Sequence, residues 1–152
     1  MNISQRLKYR ELNADDFHLF SCLYSDENVM RYAYKDSFKT TEDAKEEFVK
    51  ILNHQKDSTR GTHYVATLIE DETPVGIVDY DVVLKHEAGG IYEIGYFLKP
   101  QYWKHGYGFE MSQALIEFLF SNFNIHKIVA TCNYRNEGSE KIMKKLGMQM
   151  VF

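Results

Sequence analysis

Apolar residues along the chain change their spacing several times, and each change predicts an element. Residues 6–12 read as a short first strand. Asn13 then offers a helix cap, with Asp15 and Asp16 in a first turn where negative charge suits the helix dipole. Phe17, Phe20, Leu23 and Tyr24 follow at helical spacing, and residues 28–34 add a further turn or loop. Thr40 or Thr41 caps a second helix whose apolar face is Ala44, Phe48, Ile51 and Leu52. Its run of Glu42, Asp43, Glu46 and Glu47 reads as a solvated face. Residues 63–69, 74–85 and 91–99 are strand-like and are separated by polar turns, which predicts an antiparallel meander.

The helical period then returns. Residues 108–120 carry Met111, Ala114, Leu115, Phe118 and Leu119 on one face. Residues 127–132 read as a short buried strand. Asn136 caps a last helix carrying Ile142, Met143 and Leu146, and Gly147 supplies its stop. Residues 148–152 begin one more strand. A strand, a helix and a strand in that order predict a right-handed crossover with parallel strands. The expected class is α+β: a mixed sheet with helices on it. No repeat, low-complexity stretch or Pro/Gly-rich linker divides the 152 residues, so residues 1–152 read as one domain.

Composition narrows the function classes. With 44% hydrophobic and 14% aromatic residues the chain has the material for a core, which argues against disorder. The net charge is −4 and the basic residues are dispersed, so a dedicated nucleic-acid binder is not expected. The acidic balance suits a neutral or cationic partner such as an amine; ordinary solubility charge explains it equally well. Cys22 and Cys132 have no CxxC or Cys/His ligand spacing, so no metal is expected, and Cys132 reads as a core residue. Residues 1–10 are polar and lack the apolar stretch of a signal peptide. No segment approaches the roughly 20 apolar residues that span a bilayer. A cytoplasmic protein without membrane contact is the expectation.

The chemistry concentrates at the end of the third strand of the meander. Pro100 stops that strand, and Trp103, Lys104, His105, Gly106, Tyr107 and Gly108 then open directly into a helix. Glycines permit positive φ and close approach of backbone to a ligand. Successive N–H groups at a helix N-terminus bind anions, and Lys104 and a protonated His105 add charge. The third glycine of a dinucleotide fingerprint is missing, and no Gly-Lys-Ser/Thr of a Walker loop follows. Glu93 is the candidate general base. By strand alternation it shares a face with Ile91, Gly95 and Phe97, an apolar setting that would push its pKa upward.

Residues 92–100 followed by 102–110 resemble the coenzyme-binding motif of the GNAT superfamily of N-acetyltransferases. Trp103, where many relatives have Arg or Gln, is similar to the RimJ/RimL-like branch of ribosomal-protein N-terminal acetyltransferases. Residues 6–10, Asp15-Asp16 and residues 28–32 resemble that branch's N-terminal pattern. Residues 126–128 through Asn133, residues 136–139 and residues 145–148 resemble its last shared motif. The resemblance implies a GNAT-like fold, a mixed, largely antiparallel twisted sheet with a central parallel βαβ unit and helices on both faces, with acetyl-CoA as co-substrate between the strand ending near Leu98 and the strand ending near Cys132. Backbone of Phe97 and Leu98 would meet the pantetheine arm and acetyl carbonyl. Residues 103–108 would hold the pyrophosphate, with Asn136 and Lys145 as further coenzyme contacts. An acceptor amine, on a protein N-terminus or a small molecule, would attack the thioester directly, with Glu93 taking its proton.

Ser139 matches a serine that the branch assigns to the leaving thiol, whereas the tyrosine many relatives use falls at Met143. Tyr32, Tyr34, Tyr80 and His86 fall in regions that line the acceptor pocket in the family. Relatives usually continue for two more strands beyond Gly147-Met148. The shortened end predicts an exposed strand edge that is either covered by a second copy, a homodimer, or short and tolerated. A second reading rests on the same departures: a noncatalytic acyl-CoA-binding or interaction module.

Overall fold

The computed structural model describes residues 1–33, 35–57 and 59–151. Strand β1 (Leu7–Glu11) leads to a short 3-10 turn and helix α1 (Phe17–Tyr24). Helices α2 (Glu27–Met30) and α3 (Thr41–Gln55) follow, and then β2 (Gly61–Leu68), β3 (Pro74–Leu84) and β4 (Gly90–Leu98). Helix α4 (Tyr107–Asn122), β5 (Ile125–Val129) and α5 (Glu137–Lys145) complete the order. The five strands lie side by side in chain order. Strands β1 to β4 pair antiparallel, and β5 pairs parallel to β4 after the α4 crossover. The mixed sheet has helices on both faces, as the resemblance to the GNAT superfamily implies.

Local chemistry explains the helix ends. Asn13 and Asp16 form a reciprocal capping box at the entry to α1. The Thr40 hydroxyl accepts from the Asp43 N–H and caps α3. At the end of α5, Gly147 adopts φ +82°, with its N–H donating to Lys144 O and that of Met148 to Met143 O. This is a Schellman stop, which spends two of the helix's last carbonyls and favours glycine at the turn.

Two cores result, one on each side of the sheet. Under α4, Met111, Leu115 and Leu119 pack on Tyr64, Val78, Tyr80, Tyr92, Ile94 and Leu98. Under α1 and α3, Phe20, Leu23, Tyr24 and Phe48 pack on Val65 and Ile77. Side chains alternate across β2, β3 and β4 to feed both layers, so the meander strands are buried on both faces rather than one.

The C-terminal part departs from the expectation in three places. Strand β5 begins and ends earlier than residues 127–132 and has no fully buried residue, because it is the open edge of the sheet. Cys132 lies beyond it, half-buried, and is not part of the core. Residues 148–151 form no strand and follow the Schellman turn after α5. Phe152 lies outside the described residues.

Candidate active site

The parallel ladder between β4 and β5 runs only from Gly90↔Ile125 to Glu93↔Val129. Strand β4 continues to Leu98 without a partner on that side, so the two strands diverge into an open V. Glu93 is the last paired residue and stands at its apex, where its Oε1 accepts from the Thr131 hydroxyl at 2.8 Å. Helix α5 flanks the opening. The Asn136 side-chain oxygen caps it by accepting from the Ser139 N–H at 3.1 Å, which leaves the amide NH₂ of Asn136 as a donor.

Ser139 shares a side-chain hydrogen bond with the Tyr96 hydroxyl. Burial raises the Tyr96 phenol above its ordinary value, against that bond. Burial likewise raises the neighbouring Cys132 thiol, with Glu140 adding to it. Tyr96 is a site residue that the sequence reading missed. It sits on β4 but faces α4 and α5, so its pairing with a serine 43 positions later has no local signal.

Residues 103–108 lie at the wide end of the V. Gly106 caps α4 in the left-handed region at φ +81°, and Lys104 is also left-handed at φ +62°. The two bracket His105 and bend the chain sharply, a conformation costly for a non-glycine residue. The first N–H groups of α4 have no partner within the helix. Residues 103–108 contain no carboxylate, so no side chain of the turn itself opposes an anion there.

Three further contacts fix this region. The Trp103 indole N–H donates to the Leu98 carbonyl at 3.0 Å, tying the loop to the end of β4. A methyl group on Gly108 would meet Ile142 Cδ1 at 2.9 Å and the Tyr96 ring at 3.1 Å, so glycine lets α4 approach β4 and α5 closely. Lys145 at the far end of α5 lies over the Phe109 ring, 4.2 Å from its centroid.

The opposite face of β4 opens into a second pocket of about 470 Å³, walled by Tyr24, Glu47, His54, His63, Asp81 and Phe97 among others. Strand register explains the cluster. His63 opposes Asp79, Asp79 opposes Gly95, and Asp81 opposes Glu93, so all share one face. His63 Nε2 lies 4.0 Å from Asp79 Oδ2, and His54 Nε2 lies 3.3 Å from Asp81 Oδ1. Burial raises the Asp79 carboxyl above its ordinary value, and Asp81 and Glu93 add to this against His63. Glu47 turns inward and pairs with Lys35 at 2.6 Å, while Glu42, Asp43 and Glu46 stay exposed, so only part of that acidic run is a solvated face.

The structure separates the remaining predicted positions. Phe97 points into this second pocket against Tyr24, whereas Leu98 is buried on the α4 side. Tyr80 is buried beneath α4, stacked with Tyr92, and so lies on the wrong face for the pocket. His86 is in the exposed β3–β4 turn, accepting from the Ala88 N–H. Tyr32 lies beside Arg31, and Tyr34 is outside the described residues. Among the described residues no three His, Cys, Asp or Glu side chains gather as a metal site, and no helix is long and apolar enough to cross a membrane.

Comparison with known proteins agrees with this geometry. A family model described as an acetyltransferase (GNAT) domain matches residues 6–149. The uncharacterized N-acetyltransferase YnaD of Bacillus subtilis is 34% identical over 146 residues, covering 96% of this chain and 81% of that protein. A crystal structure of a GNAT-family acetyltransferase from Bacillus anthracis superposes with a TM-score of 0.80 at 28% identity, covering 97% of this chain and 82% of that one. The spermidine N-acetyltransferase of Vibrio cholerae, solved with CoA and spermine, shares the fold with a TM-score of 0.79 at 16% identity, covering 93% and 80%. A V-shaped opening, a glycine loop at a helix N-terminus and this coverage together make the chain a member of the GNAT family of acetyl-CoA-dependent N-acetyltransferases.

Proposed function

We propose that the protein moves the acetyl group of acetyl-CoA to a primary amine by direct attack in a ternary complex. The reading assigns residues 103–108 to the pyrophosphate, and Asn136 and the backbone at Phe97 and Leu98 to the pantetheine arm. Lys145 is a further contact beyond the loop. The acceptor enters from the α1/α3 side. It is a small-molecule amine or a protein N-terminus, the latter in keeping with the RimJ/RimL-like branch.

The observation that carries the reading is the place where the β4–β5 ladder stops. Glu93 stands at that point, within the same face as Asp79, Asp81 and His63. An ammonium has no lone pair, so the acceptor must lose a proton before it attacks. Glu93 takes it, directly or through a water, while the carboxylates beside it favour an approaching cation. The thiolate leaves on the other side of β4, where the Ser139 and Tyr96 hydroxyls supply a donor.

The test is thiol release from acetyl-CoA across a panel of amines and N-terminal peptides, with coenzyme binding measured in parallel. Glu93→Gln should lower kcat by about 10²-fold, a modest loss for a general base, and flatten the acidic limb of the pH profile. Coenzyme affinity should be unchanged. A variant with the parent's turnover and pH profile removes Glu93 from the role. Binding without turnover on any acceptor would favour a noncatalytic module.

A further inference from the structure

We infer that Arg6, on the chain just before β1, is a positioning residue for the coenzyme loop, held in place by Glu110. The inference rests on the assignment of residues 103–108 to the pyrophosphate. The Glu110 carboxylate is 11% exposed and accepts from the Arg6 Nε at 2.7 Å, the Arg6 backbone N–H at 2.8 Å and the Ser4 hydroxyl at 2.6 Å. Burial alone would raise this carboxyl. The bonds from Ser4 and Arg6 outweigh it and hold Glu110 below its ordinary range. The guanidinium, so fixed, donates from Nη1 to the His105 carbonyl at 2.8 Å and lies over the Tyr107 ring, 4.2 Å from its centroid.

The consequence lies in the peptide planes. In a trans peptide the carbonyl of one residue and the N–H of the next point in opposite directions. Arg6 holds the His105 carbonyl, and the Glu110 N–H holds the Gly106 carbonyl at 3.0 Å. The Gly106 N–H is therefore turned away from Arg6, and the Tyr107 N–H away from the body of α4. Arg6 thus sets the direction of the Gly106 donor, and the first turn of α4 sets that of Tyr107. The approach is close: a methyl group on Gly106 would come within 3.3 Å of Arg6 Nη2. An ammonium cannot replace this fork, which binds a carboxylate, a carbonyl and a ring face at once.

Calorimetric binding of coenzyme A, 3′-dephospho-coenzyme A and pantetheine to the parent, Arg6→Ala, Arg6→Lys and Glu110→Gln tests this. Arg6→Ala should weaken coenzyme A and its dephospho form alike by about tenfold, the equivalent of about 1.4 kcal/mol, and leave pantetheine within about twofold. Arg6→Lys should recover less than half of the loss. Glu110→Gln should weaken the two diphosphates by about threefold. A folded Arg6→Ala protein with the parent's affinity for coenzyme A overturns the inference, as does an equal loss for pantetheine. Should Arg6→Ala fail to fold, a folded Glu110→Gln protein with parental affinity overturns it. A parent that binds pantetheine as tightly as coenzyme A removes the pyrophosphate assignment itself. A parent that prefers coenzyme A, with Arg6→Ala preferring it equally, overturns only the role of Arg6.

Discussion

Asp79 owes its setting to what lies opposite it. Gly95 has no side chain, and a methyl there would come 3.3 Å from the Asp79 carboxylate, so the glycine leaves room for the acid to lie against β4. Desolvation then raises its pKa in the folded state above that in the unfolded chain. The sign of the linkage follows. A raised carboxyl contributes stability that is fully present below the unfolded value near pH 4 and is lost as pH rises through the folded value. Asp79→Asn should therefore match the parent most closely in acid and gain on it as pH rises towards neutrality. Thermal melts of both proteins across that range check this. A difference in Tm that does not change with pH removes Asp79 as the source. Glu110 is the opposite case: bonds from Ser4 and Arg6 hold it low, and its contribution is lost only as pH falls.

Helix α5 begins at a residue that does two things. The oxygen of Asn136 caps the helix and its nitrogen is free to donate. Asn136→Ala should remove both, costing about 1 kcal/mol of stability, or about 3 °C in Tm for a chain of this size, along with coenzyme affinity. Asn136→Asp keeps the capping oxygen and loses the donor, so its Tm should stay parental while coenzyme binding falls. Melting and calorimetry on the two variants separate the roles; equal coenzyme binding by Asn136→Asp and the parent would leave the cap as the only one.

Elements of this kind were legible from spacing and caps alone: Thr40, Asn136 and Gly147 all act where the chain's pattern puts them. The strand at 125–129 starts two residues and ends three residues before the apolar run that predicts it, because its edge position supplies little burial and apolar runs are a poor guide there. The pocket was not legible, since His63, Asp79 and Asp81 become neighbours only through cross-strand register. Tyr96 escaped notice because an aromatic on an apolar strand looks like core until α5 brings a hydroxyl to it.

At the scale of the whole molecule, the sheet separates two candidate sites that meet at one strand. The proposed coenzyme loop and α5 flank the V beside β4, while α1 and α3 wall the second pocket on the opposite face of the same strand. Two ties hold the first of these regions, one from Arg6 to Glu110 across the N-terminal end and one from Trp103 to Leu98 at the strand's tip. That last tie has an optical consequence. Trp103 is the chain's single tryptophan, and it is 39% exposed at the mouth of the proposed pyrophosphate site. All indole emission therefore originates at one reporting point. Saturation with coenzyme A should shift that emission to shorter wavelength as the ring loses water, and an unlabelled titration would follow loading of the protein directly. An emission spectrum indifferent to saturating coenzyme would mean that the indole stays clear of it.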